Sequence, residues 1–540
     1  MKHIINYLSM ALLGLTLTNC NADFGDLNKD PNKVTKIGTD NLFHNVVGTL
    51  SIPSGEMKYF APMMQYTATT NGNYDIVGNT FTVDGTAMGV YSSIWRSYCV
   101  DYLRYINLMD DQLAEEIASA SKQAQVDIVR ALVSSRYTDT FGPVPYDEGG
   151  KALNGISYPV YRTEKDIYLG TDKFKGLLQL LDDGVQTLQN SSDPVFEDDI
   201  LYGGSRDKWI KFGASLMLRM AIQISNVEPE LAKAYVSKAV AAGVISSMDE
   251  VAKVNHQPTV TGQPSYLDNT WATDILYYIG SRGYCYSSTY ISAFKKYSAS
   301  QIDPRLKYIA AVYDGEGKFY DNYEDYEGMK NGCEMDDVDD VLKDMTFDED
   351  FAPNIGRYGF ASFKKETVLN RKGATTVMGA AEVYFLLAEA VLKGYISGTA
   401  DTYYREGIRM GMRSLTLIGA PITDEEIENY VNTVPTLGEN KAMNLRGALD
   451  EVITQKWLAL FGNGLQIWND WRRTHYPSVI TDNPNPSKLS VTNGKMIGRL
   501  PYPQDEMVRN EANYLNGTAE LSNKTNDYMN DVWWALPYYK

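Results

Sequence analysis

Trp209-Ile-Lys-Phe-Gly-Ala-Ser-Leu-Met-Leu-Arg-Met-Ala221 is the stretch whose reading decides the fold class. Trp209, Phe212, Gly213, Leu216, Met217, Met220 and Ile224 recur at intervals of three and four, which gathers them into one apolar stripe along a helix. The spacing predicts a helix over about 206–225. Upstream, Thr39-Asp40 can cap a first helix running through Phe43, Val46, Val47 and Leu50. Helices are expected over about 88–120, 122–138 and 165–188, the last through Tyr168, Leu177, Leu178, Leu181 and Val185. Ala232 to Val244 is the next, closed by Gly243. Downstream, Val383, Leu386, Leu387, Ala390 and Val391 form one face that Gly394 ends, and Ala400 opens a partner with Tyr404, Gly407, Ile408 and Gly411 on one side. Small residues at that spacing let two helices approach closely, as in helix pairs of the tetratricopeptide kind, although the strict repeat consensus is absent. A further helix is expected over about 444–461 through Leu449, Val452, Ile453, Trp457 and Leu460, and beyond Pro477 the chain reads as loop to its end. The fold class expected is therefore mainly α.

Between these periodic segments lie two loop stretches of a different character. Residues 65 to 86 carry Tyr66, Asn71, Asn73, Tyr74 and Phe81 among Gly and Thr. Residues 246 to 375 are rich in Tyr, Gly and Asp, with Tyr266-Leu-Asn-free spacing broken into Tyr266 to Trp271 and Ser281-Arg-Gly-Tyr-Cys-Tyr286. Long loops inside a large fold are usually functional or disordered, and amides beside rings offer hydrogen bonds together with a stacking face. The candidate ligand-binding residues are Tyr66, Asn71, Asn73, Tyr74, Trp271, Arg282, Tyr284 and Tyr286. The acid run from Asp336 to Asp350 lacks the glycine and alternation of a calcium loop and reads as a solvated face. Pro143 and Pro145 impose an extended turn on Phe141 to Tyr146.

The N-terminus sets the expected location. Lys2 precedes an apolar run from Ile4 to Leu17, too short to span a bilayer and followed by Leu17-Thr18-Asn19-Cys20. Leu-x-x-Cys at this point looks like a lipobox, which makes 1–19 a lipoprotein signal peptide, Cys20 the lipid attachment site and 20–40 a tether. Acyl chains there would be the sole membrane attachment. A net charge of −18 argues against nucleic acid as a partner. Of four cysteines, Cys99, Cys285 and Cys333 remain after acylation, so at most one disulfide can form. Catalytic signatures are missing: His44, His256 and His475 are dispersed, and there is no metalloprotease helix motif, phosphate loop or nucleophile elbow. No metal or cofactor is expected. Paired carboxylates of a glycoside hydrolase stay possible as a competing class, because 68 acidic residues make chance pairs plentiful.

Ile453-Thr-Gln-Lys-Trp-Leu-Ala-Leu-Phe461 followed by Trp468-Asn-Asp-Trp-Arg-Arg-Thr474 resembles the C-terminal signature of SusD/RagB-type outer-membrane lipoproteins. Phe141-Gly-Pro-Val-Pro-Tyr146, Trp209 to Ala221, Asp303-Pro-Arg305, Phe385 to Ala390 with Gly394, and Arg499-Leu-Pro-Tyr-Pro-Gln-Asp-Glu506 match the same pattern in order. The resemblance implies one SusD-like domain over 41–540, with a helical-repeat scaffold at about 41–245 and 376–475 and a loop-rich insertion at about 246–375. It implies a surface-exposed, lipid-anchored protein that captures an oligosaccharide, or alternatively a peptide, for a SusC-like TonB-dependent transporter. Because Trp468, Trp471, Arg472 and Arg473 belong to the shared pattern, they are expected to lock helices in the core rather than touch ligand.

Overall fold

The structure is a computed structural model that describes residues 37–50, 55–69, 85–258, 269, 271–272, 285–296, 302–313, 319–320, 322–332, 360–437, 445–483 and 490–539. The signal peptide, Cys20 and the tether to residue 36 lie outside the described residues, as does the acid run at 336–350. The principal helices are α1 (Thr39–Gly48), α2 (Gly85–Ser97), α3 (Arg104–Leu113), α4 (Ala120–Phe141), α5 (Leu177–Asn190), α6 (Arg206–Gln223), α7 (Pro229–Ala242), α8 (Ala380–Leu392), α9 (Ala400–Arg413), α10 (Leu445–Ala459) and α11 (Gly464–Thr474). Seven short strands accompany them: β1 (Thr67–Ala68), β2 (Ala252–Val254), β3 (Cys285–Tyr286), β4 (Ala310–Tyr313), β5 (Phe319–Tyr320), β6 (Ser362–Phe363) and β7 (Thr375–Met378). The fold is mainly helical, as the periodicity indicates.

Neighbouring helices pack in succession. α4 lies on α5, α5 on α6, α6 on α7, and α8 on both α9 and α10. Contact between α6 and α8 joins the two runs across the intervening loop-rich part of the chain. The close approach foreseen for α8 and α9 is realised at their glycines. A Cβ on Gly407 would come within 2.7 Å of the Phe385 ring, and one on Gly411 within 2.8 Å of Ala459 Cβ. The stripe on α6 is fully interior, with Trp209 donating its indole N–H to Asp199 Oδ2 at 3.0 Å. Phe43 from α1 stacks on Phe196 at 4.0 Å and reaches Trp209 at 5.6 Å. α7 opens on Pro229, whose missing N–H is harmless in a first turn, and Gly243 leaves it at a φ of +88°.

Four expectations need correction. The helical path over 88–120 is a helix, a widened turn at Tyr98–Leu103 and then α3, and it ends at Leu113 rather than 120. The segment 165–188 is not one helix. Glu164–Leu169 and α5 are separated at Gly170 and Gly176, which lie so close that a Cβ on Gly176 would sit 2.2 Å from Gly170 N. The chain after Pro477 is not all loop, since Gln504–Arg509 and Glu511–Ala519 are helical. Finally, the loop-rich part has order at its base: β2 pairs antiparallel with β7, matching Val254 to Thr375, so the chain leaves the helices and returns to them along one ribbon.

A cluster of buried charges binds α6, α8, α10 and α11. Arg219 grips Glu382 in a two-pronged contact at 2.7 Å on each arm. Lys456 Nζ meets Asp470 Oδ2 at 2.8 Å, and Arg473 donates to Asp470 at 2.8 Å and Glu389 at 2.6 Å. Three cations face three carboxylates, which is the balance burial demands. Burial alone would raise the Asp470 carboxyl, but Lys456 and Arg473 hold it below its ordinary range.

Candidate functional site

β1 pairs antiparallel with β3, setting Thr67 opposite Tyr286 and Ala68 opposite Cys285. Two stretches more than 200 positions apart in sequence are thereby rooted on one ribbon. Other strands of chain close on the same point. Tyr286 N donates to Ala361 O at 2.9 Å, and Met329 N donates to Tyr286 O at 3.0 Å. Ser288 N returns to Met329 O at 2.8 Å, while Asn331 Nδ2 donates to Thr67 O at 2.9 Å and to Pro62 O at 3.2 Å. Gly328 permits the approach, because a Cβ there would fall 2.2 Å from Ser287 O. Ala68, Cys285, Met329 and Phe360 form a small apolar floor of their own, apart from the main core. The flanks of residues 70–84, 273–284 and 333–359 therefore meet at one junction.

The residues proposed for ligand contact divide into two groups. Asn71, Asn73, Tyr74, Arg282 and Tyr284 lie outside the described residues. Tyr66, Trp271 and Tyr286 are described, and all three are buried, not displayed on loops. Tyr66 donates its hydroxyl to Trp457 O at 2.7 Å, and burial pushes its phenol well above the ordinary value. It meets Tyr290 edge-on at 5.0 Å and Phe461 at 5.6 Å. Tyr286 packs on Phe363 at 4.5 Å and on Phe461 at 5.4 Å. Trp271 stands edge-on to Phe461 at 5.1 Å. Tyr66 and Tyr286 are thus corrected to core residues, and Trp271 to a buried wall residue. The physical reason is Phe461 and Trp457, which offer rings on which these side chains bury more area than a loop surface would. Phe461 was quoted only as part of a motif, and its helical neighbours carried the signal that it is a hub.

The tryptophan–arginine motif behaves as expected of a core element. Arg472 lies 3.6 Å from the Trp468 ring centroid and 4.8 Å from that of Trp534. Trp468 Nε1 donates to Ile497 O at 2.8 Å and Trp471 Nε1 to Ile480 O at 3.2 Å, so α11 fastens the C-terminal chain. Two buried carboxyls brace the same helix. Glu56 accepts from Gly464 N at 2.6 Å at its first turn, and Asp139 accepts from Tyr168 Oη, Trp534 Nε1 and Asn469 Nδ2 at 2.8–3.0 Å. Burial raises both to about 7. His44, His256 and His475 are separately engaged, with Asp198 O, with Thr375 and against the Trp471 ring, and among the described residues no group of three His, Cys, Asp or Glu could hold a metal ion.

A helical scaffold that gathers the ends of distant loops at one junction defines a class of protein, and the comparisons say which. The SusD-like family described as starch-binding and associating with the outer membrane matches residues 31–503, and the chain belongs to it. No curated protein matches the sequence significantly. Among solved structures, a chitin-binding protein is 24% identical with a TM-score of 0.74, over 92% of this chain and 99% of that one. A chitin-binding SusD homologue from Flavobacterium johnsoniae is 22% identical with a TM-score of 0.72, over 93% and 99%. A SusD-like protein from Bacteroides thetaiotaomicron is 21% identical with a TM-score of 0.70, over 93% and 99%. At such identities these neighbours establish the fold alone. Among the described residues no helix is long and apolar enough to cross a membrane.

Proposed function

We propose that this protein is a lipoprotein of the outer membrane, anchored through Cys20 and exposed at the cell surface. There it captures an oligosaccharide and delivers it to a SusC-like TonB-dependent transporter without altering it. The observation that carries this reading is the junction at β1 and β3, where the flanks of three loop segments from distant parts of the sequence come together. Family membership supports it, as do the chitin-binding neighbours on the same fold. Asn71, Asn73, Tyr74, Arg282 and Tyr284, in two of those segments, are the proposed ligand contacts. Rings there would stack on the apolar face of a sugar while the amides and the guanidinium bond its hydroxyls. Stacking contributes about 0.5–1.5 kcal/mol per ring beyond area burial, which with a few hydrogen bonds yields affinities weaker than nanomolar.

Calorimetric titration with starch and chitin oligosaccharides and a peptide panel tests this directly, with chromatography of the ligand after long incubation. One saccharide class should bind and return intact. Binding of peptides alone would move the cargo to that class. Release of fragments, lost when a carboxylate pair is replaced, would make the protein an enzyme. For the anchor, Cys20→Ser should shift the protein from the membrane to a soluble fraction. Undiminished membrane retention would contradict lipidation.

A further inference from the structure

Between α8, α9, α10 and β7 lies a cavity of about 160 Å³, walled by Trp271, Phe294, Met378, Met410, Leu458 and Phe461. Folded interiors hold few voids larger than a water molecule, and a dry apolar cavity of about 150 Å³ is large enough to bind benzene. Met248, Leu415, Leu417 and Ile418, each half-buried, form the part of its lining that reaches the surface.

One side chain gives this apolar space a direction. Arg305 lines it and is only 2% exposed. Its Nε is committed to Asp303 at 3.0 Å and its Nη2 to Gln455 at 2.7 Å, while Nη1 has no hydrogen bond. A buried charged donor left unpaired is unfavourable, so an occupant supplying an oxygen there is selected over one that does not. Charge restricts the occupant further. Asp303 already neutralises Arg305, and Glu382 in the same wall is matched by Arg219. An additional carboxylate would enter without a countercharge. A sugar would strand most of its hydroxyls against the apolar wall.

We propose that this cavity is a binding site for a small neutral ring compound of about eight or nine heavy atoms whose single hydroxyl or carbonyl oxygen pairs with Arg305. The site is independent of oligosaccharide capture and does not rest on that reading.

Titration calorimetry of the full mature chain with acetophenone, ethylbenzene and benzoate tests it. Acetophenone should bind once per chain. Ethylbenzene, of similar shape but without the oxygen, should bind about tenfold more weakly, and benzoate should give no heat. Ile418→Trp, which fills the cavity from its rim, should abolish acetophenone binding and leave oligosaccharide binding unchanged. A crystal soaked in 4-bromophenol gives a readout that needs no variant, with a bromine peak expected beside Phe461. Absence of acetophenone heat at about 10 mM, equal affinity in Ile418→Trp, or bromine only elsewhere would overturn the site. Equal binding of ethylbenzene and acetophenone would overturn the pairing with Arg305.

Discussion

Trp209 touches Phe43, Tyr202 and Phe212 with its ring and Asp199 with its N–H, so both its area and its polar atom are satisfied inside the protein. Trp209→Ala should destabilise the fold by about 3–5 kcal/mol, the range for a large buried aromatic, read as a lowered urea midpoint. Trp271 looked from the sequence like a loop residue whose removal would leave stability unchanged. Its contact with Phe461 reverses that expectation, and Trp271→Ala should cost about 3 kcal/mol. An unchanged midpoint would return Trp271 to the surface. The helical stripe made Trp209 legible, because three-and-four spacing reports burial directly. Trp271, Tyr66 and Tyr286 were misread because aromatic residues between polar ones look alike whether a loop displays them or a distant ring covers them. The buried carboxyls add a pH dependence that no spacing reveals. Glu56 and Asp139 stand at about 7 in the folded protein and near the ordinary carboxylate value when unfolded. The folded state therefore binds more protons between those values, and their contribution to stability is lost as pH rises through 7. Unfolding free energy should fall by about 1 kcal/mol per group between pH 6 and 8, and Glu56→Gln should flatten that slope.

α11 is the element on which the scaffold and the C-terminal chain converge. It begins on Glu56, shares Asp470 and Arg473 with the ion cluster, and carries the Arg472–Trp534 contact. Lys456→Met leaves Asp470 short of one cation in a space without water, and should cost about 3–5 kcal/mol. An exposed pair such as Arg509–Asp505 should be removable with little loss. Equal midpoints for the two variants would show that the cluster is not the brace proposed here. Helices with four or more turns and one apolar face were readable from periodicity alone. Gln504–Arg509 and Glu511–Ala519 were not, since one or two turns of polar residues show no period and bury little. The break between Leu169 and α5 had a visible signal in Gly170 and Gly176, but a run of leucines on its far side outweighed it.

At the scale of the whole molecule, the helices supply a rigid frame and the loops supply chemistry, and the junction at β1 and β3 connects them. Composition and motif order were enough to read the helical class and the family. The meeting of Thr67 with Tyr286 was not readable, because two-residue strands carry no pattern and pairing across that sequence distance depends on the completed fold. The acid run and five of the candidate contacts lie outside the described residues, so their roles rest on function rather than geometry. The central claim is that saccharide is held by the segments leaving that junction. Calorimetric affinity of the Tyr74→Ala, Tyr284→Ala double variant against the parent protein, with melting temperature measured on both, tests it most directly. The account predicts a loss of about ten- to a hundredfold in affinity with the melting temperature unchanged; undiminished affinity in a folded double variant would contradict it.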